Sequence, residues 1–161
     1  MSSAVQGIVD VQALGLLRRA VSVIVATRDA ALQPHVVRAL GFRLDAATGR
    51  VAVLLDEAAS SEVVADARAN GQVAVVFSEP STHCSIQLKG RDARIEPTHE
   101  SDGEIVAAYV RRMVGELGSI GFPAELVQGL FGGPSGHLVV LAFTPTEAFE
   151  QTPGPAAGQQ L

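Results

Sequence analysis

A single cysteine, Cys84, stands in 161 residues, so no disulfide can form within the chain, and a reducing, cytoplasmic setting is the expectation. Tryptophan is absent and aromatic residues make up 4%. With a formal net charge of −5 and no basic stripe interleaved with aromatics, the composition argues against nucleic acid as a partner. No apolar run approaches the ~20 residues of a bilayer-crossing helix. The first residues lack the basic segment and continuous apolar core of a secretory leader, so no membrane role is expected. His35, His83, His99 and His137 show no metal-ligand spacing, which predicts no metal site. Gly132–Gly136 lacks the Lys-Ser/Thr ending and following helix of a phosphate loop, and no Ser/His/Asp arrangement is legible. Charged residues are 18% against 47% apolar, which excludes disorder or a coiled coil over most of the length. The length suits one domain with a hydrophobic core.

What the chain does contain is a succession of short, β-branched strands. Val73–Phe77 is a Val-rich run of buried-strand length, and Ser78–Thr82 is turn chemistry. The following segment alternates: His83, Ser85, Gln87 and Lys89 on one face, Cys84, Ile86 and Leu88 on the other. Cys84 thus reads as a small core residue. Before this hairpin, Asp10 can cap a helix over Val11–Ala20. Val21–Thr27 reads as a strand, His35–Leu44 as a second with Gly41 inside it, and Asp45–Gly49 as a hairpin turn into Arg50–Leu55. Ser60 or Ser61 caps a helix over Ser61–Asn70 that Asn70-Gly71 stops. The strand that begins at His83 can run as far as Ile95. Ser101-Asp102-Gly103-Glu104 has capping-box spacing and opens a helix ending near Gly118–Gly121. Pro123–Phe131 reads as a short helix with Pro123 at N1, and His137–Phe143 as the last strand. Residues 1–150 form the expected domain, with Gln151–Leu161 as an extended or mobile tail. Six strands joined mostly by short turns predict a mainly β, antiparallel sheet able to close into a small barrel with peripheral helices.

Three stretches resemble a known family: Val37–Arg43 (VRALGFR), Ala67–Phe77 (ARANGQVAVVF) and Ile86–Arg91 (IQLKGR). Their order and spacing resemble the pyridoxamine 5′-phosphate oxidase-like proteins, which are FMN-binding split β-barrels. Glu147–Gly158 also looks like the C-terminal tail of members of that group. The likeness covers roughly residues 20–97 plus the last strand and tail. It implies a homodimer with FMN in the groove between subunits and a flavin phosphate held by basic side chains. On that likeness Arg38 takes the position of the phosphate-contacting arginine and Arg43 that of a basic residue five positions on. The planar fork of a guanidinium can give two hydrogen bonds to a phosphate. Five is an odd offset, so both arginines can serve one site only if a bulge, as at Gly41, turns the strand. Gln87 and Lys89 are candidate contacts to the isoalloxazine surroundings. From the residues alone, Arg38 reads more readily as a solvated or ion-paired strand arginine than as a phosphate ligand, and Gln87 and Lys89 equally as surface or interface residues.

The chain departs from the family where FMN-using oxidases carry Ser-Arg-Lys at the start of a helix: here the run is Ser61-Glu62-Val63. The hydroxyls of Ser60 and Ser61 and the helix N-terminus can still face an anion, but Glu62 would repel a phosphate. Three functions compete: an FMN-dependent oxidoreductase of unknown substrate, a non-catalytic barrel that has lost tight FMN binding, and a relative using haem or a deazaflavin in the same groove.

Overall fold

A computed structural model describes residues 11–45, 47–134 and 136–161. It contains nine described strands in two antiparallel sheets. The strands are β1 Ser22–Arg28, β2 Pro34–Arg38, β3 Gly41–Leu44, β4 Val51–Asp56, β5 Val73–Ser78, β6 Ser85–Gly90, β7 Arg94–Glu96, β8 Leu138–Phe143 and β9 Glu147–Glu150. One sheet runs β2-β1-β5-β6-β9 and the other β3-β4-β8-β7. Helices α1 Val11–Leu17, α2 Ser61–Asn70, α3 Asp102–Ser119 and α4 Ala124–Phe131 pack around them.

Six expected strands became nine because three runs cross from one sheet to the other. The run expected as one strand over His35–Leu44 splits into β2 and β3. Ala39 still donates its N–H to the Val23 carbonyl in β1 (2.9 Å), while Leu40 already donates to Leu54 in β4 (2.8 Å). The run from His83 splits into β6 and β7, and β8 leads through Pro145 into β9. At the second crossing, the Ala93 N–H bonds the Gly71 carbonyl (2.9 Å). The antiparallel, mainly β architecture stands as read, but six continuous strands are corrected to two sheets wrapped about a shared core.

That core is lined by the inward rows of both sheets. Val23 and Val25 of β1, Val75 and Phe77 of β5, and Ile86 and Leu88 of β6 face Val51, Val53 and Leu55 of β4 and Leu141 and Phe143 of β8. Phe42 of β3 meets Phe77 of β5 edge-on at 5.1 Å, joining the sheets. The smaller sheet is buried on its second face too, where Leu40, Ala52, Leu54, Val140 and Ala142 pack against Val106 of α3. Continuous burial of β4 explains its unbroken VAVLL sequence. Each such fully buried Val, Leu or Phe contributes ~1.5–3 kcal/mol, against ~0–1 for an exposed ion pair such as Arg91–Glu147, so packing decides the fold.

Local expectations fared unevenly. Helix α2 spans Ser61–Asn70 as the sequence predicts, with Gly71 in the left-handed conformation (φ 70°). Helix α1 stops at Leu17, short of Ala20, and Asp10 lies outside the described residues. The capping box at Ser101–Glu104 does not form: Ser101 makes no side-chain cap, and Asp102 Oδ2 instead accepts the His99 N–H (2.8 Å). Pro123 sits at the N-cap of α4, one place before its expected N1 position. His83 does not join the strand. It lies in the preceding turn at φ 62°, its N–H bonded to the Glu79 carbonyl (2.9 Å), and alternation begins at Ser85. Cys84 is half-buried against the core. Beyond β9 the tail, expected to be extended or mobile, curls back in turns. Glu150 N–H bonds Gln159 (2.9 Å), and Leu161 N–H bonds Ala148 (2.9 Å).

At Gly71 the left-handed backbone coincides with a close approach: an added Cβ would lie 2.7 Å from the Arg91 carbonyl oxygen. Gly71→Ala is expected to lower unfolding free energy by about 2 kcal/mol, read as a fall in the urea midpoint. An unchanged midpoint would mean that the β6–β7 crossing shifts freely.

Candidate functional site

The alternation of each strand fixes what the five-stranded sheet presents outward. In β2, Val36 and Arg38 are exposed while His35 and Val37 turn inward. In β1 the outward row is Ser22, Ile24, Ala26 and Arg28, in β5 Ala74, Val76 and Ser78, and in β6 Gln87 and Lys89. The pairing registers align these residues across the sheet. One row reads Arg38–Ile24–Val76–Gln87–Phe149 and the next Val36–Ala26–Ala74–Lys89–Glu147. Arg38, Gln87 and Lys89 therefore share one face. Arg38 and Gln87 lie three strand spacings apart, about 14 Å.

Arg38 is held from two sides. Its Nη1 donates to Ser22 Oγ (3.0 Å), and its guanidinium carbon sits 4.7 Å from the centroid of the Phe131 ring in α4. Behind Phe131 stands Tyr109 of α3 (ring centroids 6.1 Å apart), whose hydroxyl accepts the Val23 N–H at 3.2 Å. Burial pushes the Tyr109 phenol up to about 12, so it stays neutral and serves as an acceptor. Lys89 lies over the Phe149 ring with Nζ 4.6 Å from its centroid. Contacts of this kind contribute ~0.5–1 kcal/mol at exposed sites, enough to orient a cation without using its N–H donors.

The other three candidates lie elsewhere. Arg43 is in the second sheet, because the chain crosses between Ala39 and Leu40 and no bulge at Gly41 returns it to Arg38. Its Nε is 2.9 Å from Asp102 Oδ1 and Nη2 is 3.4 Å from Oδ2. The Nε contact is poorly aligned for a hydrogen bond, so the attraction is mainly between charges, and Asp102 is almost wholly buried. Ser60 is also buried, and its hydroxyl donates to the Asp56 carbonyl (2.6 Å) in place of capping α2. Ser61 and Glu62 are exposed on the first turn of α2. Among the described residues no three His, Cys, Asp or Glu side chains are grouped to hold a metal ion. No described helix is long and apolar enough to cross a membrane.

Sequence reading missed a polar cluster that fixes α2 to the sheet. Asp66, buried on α2, accepts from Thr27 Oγ1 of β1 and lies against His35 Nδ1 of β2, each at 2.8 Å. His35 Nε2 is 4.0 Å from Glu62. The hydrogen bond to Asp66 is the main cause that raises the His35 pKa above its ordinary 6.5. Burial works to raise Asp66, but the bonds from His35 and Thr27 outweigh it and the carboxyl ends below its ordinary 3.8. These residues lie 31 positions apart, and nothing local in the sequence links them.

The sign of the pH dependence follows. The contribution of His35 is complete below its ordinary 6.5 and fades as pH rises through the raised value. That of Asp66 is complete above 3.8 and fades in stronger acid. His35→Gln is expected to lower the thermal midpoint most between roughly pH 4 and 6.5 and less as the pH rises through the raised value. The check is a pair of melting series across that range. A pH-independent difference would mean that the ring acts by packing alone.

No family model matches the chain, and no curated protein matches it in sequence. Solved structures do share its architecture. HupZ of Group A Streptococcus is similar with a TM-score of 0.51 at 19% identity, over 89% of this chain and 94% of that one. A NimC/NimA family protein of Clostridium acetobutylicum gives 0.51 at 17% identity, over 90% and 83%. A pyridoxamine 5′-phosphate oxidase-related, FMN-binding protein of Nostoc punctiforme gives 0.50 at 14% identity, over 89% and 83%. This chain thus shares its fold with structures described as pyridoxamine 5′-phosphate oxidase-related.

Proposed function

We propose that this chain binds FMN on the outer face of its five-stranded sheet and acts as a flavin-dependent oxidoreductase, with a second copy completing the groove. The observation that carries this reading is the register. Arg38, Gln87 and Lys89, which the family resemblance picks out, fall on one face, with Ile24 and Val76 as an apolar platform between Arg38 and Gln87. A bound flavin supplies the electron transfer, so the protein needs no acid–base pair of its own for that step. Its residues supply placement. Arg38, oriented by Ser22 and Phe131, offers its remaining N–H donors to the phosphate. Ile24 and Val76 keep water from one face of the ring, and Gln87 and Lys89 offer donors at its edge.

The residues fit the ring and a single-arginine phosphate grip. Arg43 is spent on Asp102, and Glu62 occupies a place where the related oxidases have a cation. The same two facts favour a second reading, a non-catalytic barrel that no longer retains FMN. Titrating cofactor-stripped protein with FMN and with riboflavin, by flavin fluorescence, separates the two. Under the first reading FMN binds saturably. Arg38→Ala then weakens FMN about tenfold, or about 1.4 kcal/mol, and leaves riboflavin within about twofold. No saturable FMN binding sinks the first reading. Light scattering should give twice the 16.7 kDa chain mass, and a monomer counts against the shared groove.

A further inference from the structure

At the far end of the same sheet face lies a cleft of about 380 Å³, lined by Ala26, Arg28, Ala74, Lys89, Arg91 and Glu147, among others. We propose that it is a second anion site on this face, for a small doubly charged oxyanion, the phosphate group of a phosphomonoester.

The register builds it. Ala26–Ala74 and Val73–Gly90 are the last pairs of β1 with β5 and of β5 with β6 at this end of the sheet. Just beyond them stand Arg28, Gln72 and Arg91, which all line the cleft. Lys89 lies one row inward, beside Ala74. The two alanine side chains are short, so the floor is recessed while the long cationic side chains form the rim.

The cations leave charge to spare. Arg28 Nη1 donates to a neutral acceptor, the Asp29 carbonyl (3.1 Å), and Lys89 lies over the uncharged Phe149 ring. Arg91 pairs with Glu147 at 3.3 Å, and its side chain is 74% exposed. Three cations against one carboxylate leave the lining at +2, in a chain whose net charge is −5. Like charges gathered against the overall sign cost free energy unless an anion joins them. A phosphate dianion matches the surplus and can accept from both guanidinium forks, from the ammonium and from the Gln72 amide.

This site shares Lys89 with the flavin reading but not Arg38, the arginine assigned there to the phosphate, and it does not depend on that reading. The test uses flavin-free protein and inorganic phosphate as the probe, followed by amide NMR shifts at constant ionic strength, with chloride as the matched control. Saturable shifts centred on Gln72, Gly90 and Arg91 with phosphate and not with chloride are expected. Arg28→Gln and Lys89→Gln should each weaken phosphate at least threefold, while Arg38→Ala leaves it unchanged. Shifts that rise linearly with salt, or a phosphate affinity indifferent to Arg28→Gln and Lys89→Gln, would overturn the site. Equal loss in Arg38→Ala would also overturn it, by placing the anion at the other end of the face.

Discussion

A strand that leaves one sheet for another must find a new partner for every backbone group it carries, because an unpaired buried N–H costs ~1–3 kcal/mol. The rest of this molecule depends on how that constraint is met. At Ala39 and Leu40 consecutive N–H groups bond to carbonyls in different sheets, so the corner is made within one residue step. Both residues are buried, which leaves little room for slippage. Closing the two sheets on one core follows from this corner and its counterparts near Ala93 and Pro145.

The same corner decides the electrostatics of the candidate site. Two arginines five positions apart look like a pair in the sequence, yet one faces outward from the larger sheet and the other faces α3. Asp102 draws Arg43 into a contact from which it has no easy release, since breaking a buried pair strands a charge at ~3–5 kcal/mol. Arg38 is left poised on an aromatic ring and a hydroxyl, partners that orient a guanidinium without neutralising it. Of the two arginines, one is thus tied to a buried carboxylate and the other is held only by uncharged partners.

What was legible in the sequence is what local chemistry controls. The Asn70-Gly71 stop, the Val73–Ser78 strand and the alternation of Ser85–Lys89 follow from glycine conformation and two-residue periodicity. The sheet changes were not legible, because Ala39 and Leu40 carry no turn signal and read as continuous strand. The capping box does not form because Ser101 already has helical backbone angles (φ −75°, ψ −10°), so its side chain is not in the geometry of an N-cap. At the site, the outward positions of Arg38, Gln87 and Lys89 needed only parity and register. The ties of Arg43 to Asp102 and of His35 to Asp66 join residues 59 and 31 positions apart, and only the folded chain reveals them.

The folded-back C-terminus has a consequence for assembly. The larger sheet ends in β2 on one side and β9 on the other. On the β9 side, Phe149 is bridged to Gln160 and its neighbours bond the returning chain, so that border is already occupied. Among the described residues no strand covers the other border of this sheet, β2. A sheet with one border covered by its own chain is protected on that side against edge-to-edge growth, which needs two open borders to run on into a fibre.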